Sequence, residues 1–183
     1  MNLYNDIEPG TKDEMNVIVE ISKGSHNKYE IDKKTGLIAL DRANYGSSPY
    51  PMEYGFIPQT HWDDGDALDV VLLASYPIPT GVLVKARPVA LMQMIDSGEN
   101  DFKIIAVPIH DKRWEHVEDL ADINPHTLKE IQHFFETYKH LKGKGDIVTI
   151  EGIKGKAEAE AAFEKGRRLY ALKNKKFEAK LIS

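Results

Sequence analysis

Four aspartates fall within seven positions of H-W-D-D-G-D-A-L-D-V-V-L-L-A, residues 61–74, and the last of them opens an apolar run. At about 5 Å separation two carboxylates oppose each other by ~0.8 kcal/mol in water and ~3 kcal/mol at an effective dielectric of 20. A fold that keeps Asp63, Asp64, Asp66 and Asp69 together must offset that repulsion. In an extended strand Asp64 and Asp66 share a face and Asp69 opposes them, so convergence requires a turn, which Gly65 makes accessible. Carboxylates gathered by a turn suit a hard cation such as Mg2+, which takes oxygen ligands and keeps several waters. Taken alone, the same residues also read as an acidic surface turn. An EF-hand is a poor fit, because its glycine at the sixth loop position and glutamate at the twelfth are absent.

The first two thirds of the chain consist of short apolar or alternating runs separated by turns: residues 16–21, 28–32, 37–41, 69–74, 82–94 (bent near Pro88) and 102–108. Turns are expected at K-K-T-G, P-T-G and D-S-G-E-N. After Pro125 the spacing becomes helical, with Leu128, Ile131, Phe135, Tyr138 and Leu141 on one stripe, stopped by Gly143 and Gly145. A strand over 146–151 follows, then a second helix that runs through Gly166. The pattern predicts one domain over residues 1–183, a small β-barrel or curled sheet flanked by two helices.

Composition narrows the chemistry. The absence of cysteine excludes disulfides, thiolate ligands and a cysteine nucleophile. A net charge of -5 opposes non-specific attraction to nucleic acid or anionic lipid, and Lys173, Lys175 and Lys176 read as a solvated helix end. No apolar stretch is long enough to span a bilayer, and the N-terminus lacks a secretory pattern, so no membrane and a cytoplasmic location are expected. The seven histidines show no metal-ligand spacing, and G-x-S-x-G, G-x-x-x-x-G-K-[ST] and G-x-G-x-x-G are missing.

Other segments add charge at strand ends. D-S-G-E-N-D-F-K sets Asp96 and Asp101 around a turn, with Lys103 on the same face as Asp101. K-Y-E-I-D puts Lys28 and Glu30 on one strand face. Arg42 ends the next strand, Tyr50 and Tyr54 follow in Y-P-M-E-Y-G, and Tyr138 and Lys139 close the first helix. Each alone reads as a salt bridge or a core aromatic. Together they fit a polyanionic phosphate substrate, which needs lysine and arginine for its oxygens, divalent metal for its charge, and a carboxylate near the attacking water.

The ordered set K-Y-E-I-D, D-R, Y-P-x-x-Y-G, D-G-D-x-L-D-V, D-x(4)-D-x-K and F-F-E-x-Y-K, from about Val17 to Glu151, closely resembles family I soluble inorganic pyrophosphatases of the prokaryotic type. The resemblance implies a mainly β, α+β fold: an OB-like five-stranded β-barrel with flanking helices. It implies Mg2+-dependent hydrolysis of pyrophosphate to two orthophosphates by direct attack of water, with Asp66 as general base. Asp64, Asp69 and Asp101 would be ligands of the activating metals, Asp96 of an additional ion, and Glu30 of a substrate-associated metal. Lys28, Arg42, Tyr54, Lys103, Tyr138 and Lys139 would hold phosphate, with Glu20 and Tyr50 in support. A homohexamer is the implied assembly.

The chain departs from the family pattern at several positions. Ala67 stands where proline is common and should loosen the turn, and Ser97 replaces an acid, which should weaken the additional metal. Glu53 replaces a neutral residue between the two tyrosines. His133 fits the family helix, whereas Thr137 stands where a second histidine often marks a subunit contact. A non-catalytic OB-type module binding an oligonucleotide is the competing reading from another class, since a barrel with aromatics and lysines would serve it. A phosphatase acting on nucleotides or phosphoesters is a third.

Overall fold

The strands are β1 (Met15–Ile21), β2 (Asn27–Asp32), β3 (Leu37–Ala43), β4 (Glu53–Ile57), β5 (Leu68–Leu72), β6 (Leu83–Asp96), β7 (Glu99–Asn100), β8 (Lys103–Pro108) and β9 (Val148–Lys154). The helices are α1 (Pro125–Thr137) and α2 (Lys156–Leu181), with a 3-10 turn at Leu120–Asp122. The computed structural model describes residues 1–143 and 147–181, so the expected stop at Gly145 and the expected strand start at Asp146 lie outside the described residues.

Five strands close on themselves. β1 pairs with β4, β4 with β5, β5 with β8, β8 with β6, and β6 returns to β1. All of these pairs are antiparallel except β5 with β8, and the product is a closed ring of five strands rather than a regular barrel. The long β6 makes closure possible because it changes partners along its length. Its first residues pair with β1, its middle with β8, and its last with β9 and β7. The expected bend at Pro88 is a register shift between Pro88 and Ala90, where the missing N–H interrupts the ladder.

Both faces of β5 and β8 are covered, which is why their sequences are continuous apolar runs. Val70, Leu72, Ile104 and Ala106 pack toward Ala159, Ala162 and Phe163 of α2. Val71, Ile105 and Val107 pack toward Ile131, Phe134 and Phe135 of α1. Burying side chains such as Phe163 and Phe135 contributes about 2 kcal/mol each. Asn124 caps α1 by accepting the His126 N–H at 2.8 Å, with Pro125 at the first helical position. The helix ends at Thr137, one turn before the predicted stripe does, and Leu141 stands exposed.

β2 and β3 form a separate two-stranded hairpin with no ladder to the ring. α2 runs through Gly166 because its backbone there meets the ring: a Cβ at this position would lie 3.3 Å from Thr60 and 3.4 Å from Leu68. The Gly166 carbonyl accepts the His61 N–H at 3.0 Å, so the second helix is seated against the segment leading into the aspartate turn. Among the described residues no helix is long and apolar enough to cross a membrane.

Candidate active site

Gly65 adopts φ +92°, the left-handed conformation that lets the chain reverse between Asp64 and Asp66. The turn is fixed locally. Asp64 Oδ1 accepts the Asp66 N–H at 2.9 Å, the Trp62 N–H donates to the Asp66 carbonyl at 2.8 Å, and the Gly65 N–H donates to the Trp62 carbonyl at 3.1 Å. Lys165 of α2 reaches Asp63 at 2.6 Å and lies 4.1 Å over the Trp62 ring, which directs the first aspartate away from the others. Ala67 is buried in a small cluster with Tyr4, Ile18 and Phe56.

The parallel ladder makes Asp69 and Lys103 neighbours, because their Cα atoms are register partners on β5 and β8. The buried Lys103 ammonium lies 2.8 Å from Asp69 and 2.6 Å from Asp101. Burial works against its charge, but Asp101 and Asp69 prevail and raise its pKa above the usual lysine value. Tyr54, on β4, donates its hydroxyl to Asp69, and burial followed by the Asp69 charge pushes that phenol well above its ordinary value. Behind it Tyr50 is fully buried, with ring centroids 6.0 Å from Tyr54 and 4.7 Å from Phe134.

Lysines also meet the other acids. Lys28 pairs with Glu30 across alternate positions of β2, Lys139 pairs with Asp96 at the end of β6, and Lys33 pairs with Asp66. Asp64 differs from these aspartates in having no ion-pair partner among the described residues. Burial, with Asp101 and Asp69 nearby, pushes its pKa up to about 6 despite the N–H it accepts from Asp66. Glu20 is buried and accepts the Ile31 N–H at 2.6 Å, and burial together with Asp69 raises its pKa well above the usual carboxylate value.

These groups surround one cavity of about 330 Å³, lined by eight carboxylates and four lysines. Of the residues named from sequence, Glu20, Lys28, Glu30, Tyr54, Asp64, Asp66, Asp69, Asp96, Asp101, Lys103, Tyr138 and Lys139 all border it. Two do not. Tyr50 supports Tyr54 from within the core, and Arg42 pairs with Asp41 and lies 5.2 Å over Tyr45. Lys33, Phe56 and Glu99 also line the cavity and carried no signal of their own, since Lys33 sits in a K-K-T-G turn that reads as solvated. Ser97 takes φ +53° at the tip of the second acidic turn and donates to Asp96 at 3.0 Å. Glu53 turns inward, away from the cavity, where it accepts the N–H groups of Lys23 at 2.6 Å and Ile78 at 3.1 Å.

The donor set suits an oxygen-seeking divalent cation, with an excess of carboxylate over ammonium and an unpaired Asp64 of raised pKa. Among the described residues no three acids yet converge as a ligand cage. Lys103 stands between Asp69 and Asp101, so a cation there would take over charge that the ammonium now neutralises.

The chain matches the family model described as inorganic pyrophosphatase over residues 17–171. It is 46% identical over 172 residues to an inorganic pyrophosphatase from Haloferax volcanii, covering 93% of this chain and 97% of the relative. It is 49% identical over 150 residues to one from Leifsonia xyli subsp. xyli, covering 82% and 91%. The crystal structure of the inorganic pyrophosphatase from Thermus thermophilus superposes with a TM-score of 0.89 at 39% identity, covering 93% of this chain and 99% of the other.

Proposed function

Because this chain belongs to the inorganic pyrophosphatase family, we propose that it hydrolyses pyrophosphate to two orthophosphates by direct, Mg2+-dependent attack of water, with Asp66 as general base. The observation that carries this reading is one cavity in which Asp64, Asp66, Asp69 and Asp101 face Lys28, Lys103 and Lys139. Its volume, about 330 Å³, falls at the small end of ligand sites, which favours a compact polyanion over a nucleotide. Eight lining carboxylates oppose an oligonucleotide backbone.

Asp64, Asp69 and Asp101 would hold the activating cations, Asp96 an additional one and Glu30 a cation that arrives with substrate. Divalent cations bound there would supply charge neutralisation for the phosphate oxygens and acidify the attacking water. Asp66 then takes the proton: its side chain is exposed to the cavity, and its Oδ2 accepts no hydrogen bond among the described residues. Lys28, Lys103 and Lys139 stabilise charge on the leaving phosphate, with the Tyr54 and Tyr138 hydroxyls beside them; Arg42, the register partner of Lys28 on β3, would have to leave Asp41 to join them. Glu20 and Tyr50 hold the walls. The reading takes residues 1–183 as one unit assembling as a homohexamer, which light scattering checks.

The test is orthophosphate release from pyrophosphate with and without Mg2+, beside ATP and a simple phosphoester. Release from pyrophosphate alone, lost on chelation and reduced by about a hundredfold or more in Asp66→Asn, supports the assignment. Metal-independent release, or near-normal turnover in Asp66→Asn, overturns it.

A further inference from the structure

The cavity is assembled from two sheets that share no ladder. Lys28 and Glu30 come from the β2–β3 hairpin, whereas Asp69 comes from β5 of the ring and Asp64 and Asp66 from the turn that leads into it. Beside the packing of Ile31 against Ile18 and Phe56, two polar side chains among the described residues bond across them in the cavity wall. One is Glu20, whose carboxylate accepts the Ile31 N–H. The other is Lys33, in the turn that closes the hairpin: its ammonium donates to the Gly65 carbonyl at 2.9 Å and pairs with Asp66 Oδ1.

Lys33 is itself held from behind. Its backbone carbonyl accepts the Asn2 side-chain amide at 2.9 Å, and its ammonium lies 5.8 Å from the Tyr4 ring centroid. Tyr4 in turn donates to the Thr60 carbonyl at 2.8 Å, in the segment leading to the aspartate turn. The Asp66 side chain is 71% exposed, and a carboxylate so open to solvent samples several rotamers unless a partner holds it. Lys33 takes Oδ1 and leaves Oδ2 to accept a proton.

We propose that Lys33 is a positioning residue for the hydrolysis: it fixes Asp66 and the Gly65 turn relative to the hairpin, so that Lys28 and Glu30 meet the same substrate that Asp66 serves. The inference rests on the assignment of Asp66 as general base. A misplacement of about 1 Å in a catalytic group can lower a rate by roughly a hundredfold, so a tether on such a group is enough to matter.

Turnover and KM for magnesium pyrophosphate are measured for Lys33→Met, Lys33→Arg, Asp66→Asn and the double variant Lys33→Met with Asp66→Asn. Lys33→Met is expected to lower kcat by about tenfold or more with KM changed by less than about threefold, and Lys33→Arg to restore most of the loss. The double variant is expected to lose less than the product of the two single losses, because part of the tether acts through that carboxylate and part through the Gly65 carbonyl. Amide exchange at residues 64–67, followed by mass spectrometry, should quicken in Lys33→Met and return in Lys33→Arg. A kcat for Lys33→Met within about twofold of the unsubstituted enzyme, or additive losses in the double variant, overturns the proposal. Near-normal turnover in Asp66→Asn instead removes the general-base assignment beneath it.

Discussion

The ammonium of Lys103 lies 2.8 Å from Oδ2 of Asp69, at the same register position of the neighbouring parallel strand. Lys103 is 2% exposed, so its charge is sustained by carboxylates rather than by water. Removing one partner of a buried pair strands the other. Lys103→Met should therefore cost about 3 kcal/mol in chelator, a fall in Tm of roughly 6–12 °C for a chain of this size. Saturating Mg2+ should recover part of it by replacing the lost positive charge, which thermal melts with and without the metal will measure.

Asp64 lacks an ion-pair partner among the described residues and is crowded by Asp101 and Asp69. Asp64→Asn relieves that repulsion and, on the proposed assignment, removes one anionic metal ligand. The concentration of Mg2+ giving half-maximal hydrolysis is expected to rise about tenfold or more, while stability in chelator holds or improves. Metal titration of phosphate release, paired with denaturant unfolding, separates the two effects.

Much of this site is legible in the sequence because its acids sit at strand ends, where a glycine turn beside an apolar run betrays them. Gly65 and the Asp96–Asp101 loop are such cases. β4 is harder to see. All five of its residues are buried, so Y-G-F-I shows no alternation, and the nearby prolines and glycine imitate a loop. The overlong helix has the opposite cause: Leu141 keeps the 3.6-residue spacing but is exposed, and periodicity alone does not report what lies opposite. Lys33 is illegible for a third reason, since its partners lie more than thirty positions away across two sheets.

Asp119 ties two helical starts together, accepting the Lys156 N–H at 2.8 Å and the Leu120 N–H at 2.7 Å. Those bonds, Lys156 first, depress its pKa. A carboxylate with a lowered folded pKa stabilises above its unfolded value, about 3.9, and loses that contribution as pH falls through the folded value. Asp119→Asn should thus melt below the unsubstituted protein at neutral pH. The gap should close under acid conditions, as melts across a pH series will show.

Gly166→Leu tests how α2 supports the aspartate turn. Thr60 and Leu68, which face the glycine, are both fully buried and have little room to yield. Overpacking there should destabilise by about 1–3 kcal/mol. Because the His61 N–H binds the Gly166 carbonyl, turnover per folded molecule should also fall, whereas Lys173→Ala on the same helix should leave it unchanged. Denaturant curves and phosphate release at matched folded concentration distinguish these outcomes.

The hairpin's independence from the ring gives the two halves of the cavity separate opening energies. Parting β2 and β3 from the ring would break none of its ladders, but would cost the ties of Glu20 to Ile31 and Lys33 to Gly65 and the packing of Ile31 and Ile38 against Ile18 and Phe56. On the proposed assignment, opening of the half that supplies Lys28 would admit a pyrophosphate or release two phosphates, while Asp69 stays registered on β5, a strand paired on both sides.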